Sequence, residues 1–252
     1  MRFDPPLVGG RLIRRYKRFL VDVELDDGRV VTAHCTNTGS LLGCLEPGSR
    51  VMLAPADGPG RKLRWTWKMV RVRGTWVGVD TGVAVPLVSL ALERGLLPEL
   101  EGYERVLPEV PYGERGRSRI DLLLSRGGVA VNRPGRRTLY EGDERCYIEV
   151  KNTTLALEHG ERRRAAFPDA VTERGRKHLF ELMAAVAGGH RAAMVFCAQR
   201  SDCDAFVPAD AIDPAYGKAL REAVNAGVEA YALATATGPR RARPWRRLSV
   251  LL

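Results

Sequence analysis

The chain has 252 residues, of which 45% are hydrophobic, enough to bury a sizeable core in one large domain or two smaller ones. Its net charge is +10, yet no apolar run approaches the roughly 20 residues of a membrane span, and Met1–Pro6 lacks the apolar centre of a signal peptide. Five cysteines, an odd number without a C-x-x-C pair, exclude a regular disulfide framework or zinc ribbon and predict a reducing, cytoplasmic setting.

The charge is unevenly distributed. Residues 1–84 carry 14 Lys+Arg against 8 Asp+Glu, and 239–252 carry five arginines and no acid. The remainder, 85–238, has 21 against 22. A basic module joined to a near-neutral, acid-containing one fits a polyanion binder with a reaction centre, although an arginine-rich genome composition would give the same total.

In chain order, residues 10–85 read as all-β. A basic-apolar run from Leu12 to Glu24 reads as one long extended segment and holds Arg15, Lys17 and Arg18. Asp26-Asp27-Gly28 is a hairpin turn signal, followed by a strand over Arg29–His34. Further strands are predicted at Ser49–Ala54, at Leu63–Val70 and at Thr75–Val79. In the second of these, Arg64 and Lys68 lie on a basic face opposite Trp65 and Trp67. Five short strands suggest a small barrel of the OB type, which binds strands through basic grooves and aromatic platforms. Trp65 and Trp67 fit its core equally well.

Pro86–Leu97 reads as a helix stopped at Gly95 or Pro98, and Tyr103–Val110 as a strand before a turn at Pro111–Gly113. Ser118–Leu124 and Cys146–Asn152 are two further strands, separated by a Gly- and Arg-rich stretch that suits a hairpin with a mobile tip. Asp169 is the expected N-cap of a helix buried along Leu179, Leu182, Met183 and Val186. The continuous apolar run Ala192–Ala198 fits a strand buried on both faces. Asp213-Pro214 opens another helix, Tyr231–Ala234 closes the sheet, and the arginine-rich end reads as a disordered arm. The fold class is mixed α/β, divided as 1–84 barrel, 85–238 sheet with flanking helices, and 239–252 basic tail.

Asp121 and Glu149 put carboxylates into otherwise apolar strands, which is costly unless they are paired, hydrated or bound to metal. Lys151 shares a face with Glu149 because strand side chains alternate. Two hard-oxygen ligands and a lysine suit Mg2+, or Mn2+ in its place, and metal-assisted phosphodiester hydrolysis, with Lys151 orienting or deprotonating water. A plain Glu149–Lys151 salt bridge on a sheet face accounts for the same spacing. Glu93 and Glu109 are additional acids that could join the ion or sit on the surface. Arg174, Lys177 and His178 offer phosphate contacts on the polar side of their helix, and Arg200 does so at the end of the buried strand.

Several stretches together resemble the sugar fermentation stimulation protein A family. They are Arg15-Tyr16-Lys17-Arg18-Phe19-Leu20, His34-Cys35-Thr36-Asn37-Thr38-Gly39-Ser40, Ser118-Arg119-Ile120-Asp121, Glu149-Val150-Lys151-Asn152 and the long run Phe167–Gly175. Thr36 stands where that family has proline, and Gly127–Arg145 looks like an insertion. The resemblance implies an N-terminal OB-like domain, a PD-(D/E)XK nuclease-like domain, DNA binding and Mg2+-dependent nuclease activity. It maps Asp121 and Glu149 to the metal ligands and Lys151 to the catalytic lysine. DNA is the expected partner, single- or double-stranded, with no membrane; a homo-oligomer is left open. A non-catalytic DNA-binding regulator with a silent site, or a binder of RNA, would share these features.

Overall fold

The structure, a computed structural model, describes every residue except 57, 59, 114–117 and 132–138, and the backbone alone at 129–131 and 139–143. Two sheets organise it. The first is six-stranded, in the order β3-β2-β1-β4-β5-β6, and a β3–β5 pairing closes five of its strands into a barrel. Its strands are β1 (Val8–Tyr16), β2 (Leu20–Leu25), β3 (Val30–His34), β4 (Arg50–Pro55), β5 (Trp65–Val72) and β6 (Thr75–Gly78). The basic run expected as one extended segment is two strands, Tyr16 pairing back onto Leu20. Lys17 and Arg18 make the turn in left-handed backbone, at φ 48° and 64°. Such paired positive φ values match the twist of a hairpin, and periodicity alone does not reveal them in lysine and arginine. Trp67 is fully buried among Leu12, Val23, Leu53 and Val70, and Trp65 packs partly against the same core, so these tryptophans are core rather than platform.

A short 3-10 turn, Thr81–Val83, leads into α1 (Ala84–Glu93), which buries Leu87, Val88 and Ala91 against the second sheet. That sheet comprises β7 (Arg105–Tyr112), β8 (Ser118–Val131), β9 (Leu139–Thr153), β10 (Leu155–His159), β11 (Arg162–Phe167), β12 (Arg191–Ala198), β13 (Ala205–Pro208), β14 (Glu229–Gly238) and β15 (Arg241–Val250). Their spatial order is β10-β11-β13-β15-β14-β12-β9-β8-β7. Helices α2 (Glu173–Ala187) and α3 (Pro214–Asn225) cover one face and α1 the other. β12 sits centrally: Ala192, Met194 and Phe196 join the core under α2, while Ala193, Val195 and Cys197 join the core under α1. Its unbroken apolar sequence follows from that double burial.

Two further expectations are corrected, and one hairpin was not foreseen. The arginine-rich end is no disordered arm: Ala242, Pro244 and Leu248 of β15 are buried, and β15 pairs with both β14 and β13. The hairpin of β10 and β11 falls in a charged stretch with little apolar alternation. The N-cap of α2 is Thr172, whose side chain accepts from Gly175 N, while Asp169 is used elsewhere. The long β8–β9 connection keeps one register, from Leu122↔Ile148 through Gly127↔Asp143 to Val131↔Leu139, so the insertion extends the hairpin without shifting its base. The anticipated mobile tip lies outside the described residues. Among the described residues no helix is long and apolar enough to cross a membrane. All five cysteines are free and buried.

Candidate functional site

The barrel and the second sheet meet around a cavity of about 480 Å³. Asp121, Glu149 and Lys151 line it from β8 and β9, Arg174 and His178 from α2, and Arg18 with Asn37–Gly39 from the barrel. The pairing of Leu122 with Ile148 sets Asp121 and Glu149 at the next step of the ladder. Val150 N donates to Asp121 Oδ2 at 2.7 Å, tying the first acid to the strand of the second.

Glu149 is 3% exposed. Its Oε1 accepts from Lys151 Nζ at 2.7 Å and from His178 Nδ1. Arg174 Nε donates to His178 Nε2 at 3.4 Å, so the imidazole proton sits on Nδ1 and goes to Glu149. Lys151 Nζ also lies 3.3 Å from that nitrogen. Glu149 Oε2 is buried with no hydrogen-bond partner among the described residues. An anionic oxygen stripped of water and left unbonded is costly, and a cation is the usual remedy.

The two carboxyls are driven apart electrostatically. Burial pushes Asp121 up to about 6, helped by the Glu149 charge and opposed by the Val150 N–H. Burial also raises Glu149, but the His178 hydrogen bond and Lys151 outweigh it and hold the carboxyl below its ordinary value. Glu149 is therefore the firmly charged partner and Asp121 the easily protonated one. Among the described residues no trio of His, Cys, Asp or Glu converges on one point. A cation held here needs backbone carbonyls and water as well, the habit of Mg2+.

Local sequence explains the wall beside the acids. A Cβ on Gly175 would meet the Thr172 side chain at 2.7 Å and Tyr216 at 3.1 Å, so the first turn of α2 packs only with glycine there. Tyr216 itself is fully buried under the site. Across the cavity, Arg15 donates to the carbonyls of Arg18, Asn37 and Gly39, and Arg18 Nε donates to Thr38 O at 3.0 Å. The barrel loop is then clasped to the sheet: Asp169 Oδ2 accepts from Leu41 N at 2.8 Å, and Ser40 Oγ donates to Asp169 O at 2.5 Å.

The sequence-predicted residues thus divide. Asp121, Glu149, Lys151, Arg18, Arg174 and His178 converge on one cavity. Arg15 braces the loop rather than facing a ligand. Lys17 and Arg64 are exposed and away from the lining. Lys68 is ion-paired to Asp80, which also accepts from Thr36 Oγ1 at 2.8 Å. Lys177 turns to Ser118 Oγ and Glu181. Arg200 is 4% exposed and locked by Asp202 and the Thr154 carbonyl, which removes it as a phosphate contact. Glu93 is exposed at the far end of α1 from the cavity. Glu109 is exposed on a β7 irregularity at φ 56°, outside the lining, though Asp121 senses its charge. Asp80, Asp169 and Gln199 were missed as joint residues. Gln199 Nε2 donates to Asn152 Oδ1 at 2.6 Å within the second sheet and to Asp80 O at 2.8 Å across the joint, a contact set only by the meeting of the two sheets.

Comparison with known proteins agrees with this architecture. Residues 13–79 match the model of the SfsA N-terminal OB domain, and residues 82–241 match that of the sugar fermentation stimulation protein RE domain. The chain belongs to the SfsA family. A sugar fermentation stimulation protein homolog of Geobacter sulfurreducens is 52% identical over 246 residues, covering 98% of this chain and 97% of its own. One from Geobacter metallireducens is 50% identical over 252 residues, covering 100% of both chains. Among solved structures, that of Pyrococcus furiosus SfsA in complex with Ca2+ is similar, with a TM-score of 0.81 and 28% identity, covering 100% of this chain and 98% of that one. The closed barrel is accordingly an OB domain, and in this SfsA protein its 37–39 loop forms one wall of the candidate site.

Proposed function

We propose that the cavity is a divalent-metal-dependent phosphodiesterase site acting on nucleic acid, with DNA as the substrate. The observation that carries this reading is Glu149 Oε2, buried and without a partner among the described residues, in the cavity that Asp121 also lines. Asp121, Glu149 and the Val150 carbonyl would hold Mg2+ or Mn2+, an ion that lends Lewis acidity and a water of lowered pKa when bound. The Ca2+ in the name of the Pyrococcus furiosus structure supports an oxygen-ligand cation site in this family.

The residues of the chain have separate tasks. His178 fixes the Glu149 carboxylate through Nδ1 and leaves Oε2 free to bind. Lys151 Nζ, at 2.7 Å from Oε1, is placed to hand over a proton or to offset charge growing on a phosphate. Arg18 and Arg174, both exposed on the cavity rim, bind and orient flanking phosphates.

The test is cleavage of single- and double-stranded DNA with Mg2+ or Mn2+, comparing wild type with Lys151→Ala and Asp121→Ala. Both variants should lose at least about a hundredfold in rate. Absence of metal-dependent cleavage by the wild type, or equal cleavage by Lys151→Ala, would sink the proposal. Salt-dependent DNA binding without cleavage, unchanged in Asp121→Ala, would establish the silent-site regulator in its place. Preference for RNA in the same assays would change the substrate and leave the chemistry.

A further inference from the structure

A cluster of arginines stands away from the catalytic cavity. Arg2, Arg240 and Arg241 line a cavity of about 450 Å³ among the described residues. All three are exposed, and among the described residues no acid pairs with them. Arg2 and Arg241 are direct antiparallel partners, a juxtaposition of like charges that disfavours the fold unless an anion lies over it. The outward positions of β15 continue the pattern. Arg241, Arg243 and Trp245 are exposed while Ala242 and Pro244 are buried. Trp245 is 43% exposed, with the Arg246 guanidinium 4.9 Å from its ring centroid.

This patch connects with the catalytic cavity. Arg2 also lines a groove of about 360 Å³ shared with Arg61 and Lys68 of the barrel side and with Gly82 and Val83. Their neighbours in the chain, Thr81 and Ala84, line the catalytic cavity itself. β14 runs parallel to β12, and β12 to β9, so the turn between β14 and β15 projects from the same end of the sheet as Lys151. β9 to β15 is three strand spacings, about 14 Å across the sheet, and Arg241, paired with Gly238, lies about 20 Å further along it than Lys151, which is level with Ala232.

We infer that a single-stranded nucleic acid leaving the catalytic cavity follows this groove and is held at its far end by Arg2, Arg240 and Arg241, with a base against Trp245. The inference rests on the nucleic-acid reading of the cavity. The chemistry is that of single-strand binders, cations tracking phosphates and an aromatic ring offering a sequence-tolerant stack. A duplex cannot place a base on Trp245 without unstacking it.

The experiment is fluorescence anisotropy of labelled oligothymidylates of about 4 and about 16 nucleotides, the limits of one barrel's site, in EDTA to prevent cleavage. The proteins are full-length wild type, R2Q/R240Q/R241Q and W245A. On the longer strand the triple variant should bind at least about tenfold more weakly, and its log–log salt slope should be shallower by about 2, at ~0.7 per phosphate. W245A should lose about fivefold or more. On the short strand both variants should match wild type. The strand bridge at Arg2 is made by backbone, so the triple variant should keep the wild-type Tm. If it does not, R240Q and W245A carry the comparison. Equal affinity and slope of wild type and triple variant on the longer strand overturn the inference alone, as does an equal loss on a blunt duplex. Binding of wild type to neither strand overturns the nucleic-acid reading of the cavity with it.

Discussion

Asp121 and Glu149 share a cavity but answer to different neighbours, and that contrast governs their titration. Asp121 is raised to about 6 in the folded protein, so between pH ~4 and ~6 the native state binds more protons than the unfolded one. Stability from this group therefore falls as pH rises through that window. Asp121→Asn, measured by urea unfolding in EDTA, should be more stable than wild type at pH 7 by on the order of 1–2 kcal/mol and level with it at pH 4, while losing cleavage. Glu149 acts in the opposite sense: its lowered carboxyl contributes stability that is lost as pH falls. His178→Ala withdraws a hydrogen bond from that buried charge. It should cost about 1–3 kcal/mol in the same assay at pH 7.

At the scale of elements, β15 separates the sequence reading from the molecule. An arm without structure would tolerate Leu248→Ala; a packed strand would not. Leu248 is 5% exposed in the core under α2 and α3, and the substitution should cost about 2–5 kcal/mol by thermal or chemical unfolding. The arginines conceal this strand in the sequence. They occupy the outward positions 241 and 243, and they outnumber the small inward residues Ala242 and Pro244. Elements with a strong period were legible: β12, α2 and the strands bearing Asp121 and Glu149 fall where their apolar patterns put them. Turn chemistry carried by ordinary residues was not, as at Lys17 and Arg18. The acid pair and Lys151 were legible because charge in an apolar strand demands an explanation. Arg200 misled because a sequence shows a cation without its partner, and Asp202 holds it.

At the scale of the whole molecule, the candidate site belongs to the joint between barrel and sheet. Gly39 shows how tightly the two are fitted, since a Cβ there would strike both oxygens of the Asp169 carboxylate. Gly39→Ala should lift the 37–39 wall, weakening DNA binding or cleavage about tenfold with the fold retained. Kd and rate, read beside a circular dichroism spectrum, decide it. Asp169→Ala loses the bond to Leu41 N and should cost about 1 kcal/mol, seen as a lower Tm.

The place of β15 in the sheet has a consequence for damaged or incomplete chains. It lies between β13 and β14 rather than at a border. A chain cut before Arg241 would split the sheet into a three-stranded remnant, β10-β11-β13, and a separate body ending at β14. The bare edge of β14 would present Ala232, Leu233 and Ala234, apolar residues otherwise buried, to any other strand it met. Such an edge invites self-association and the attention of chaperones and proteases, so proteolytic clipping near residue 240 should yield aggregates rather than a trimmed working protein.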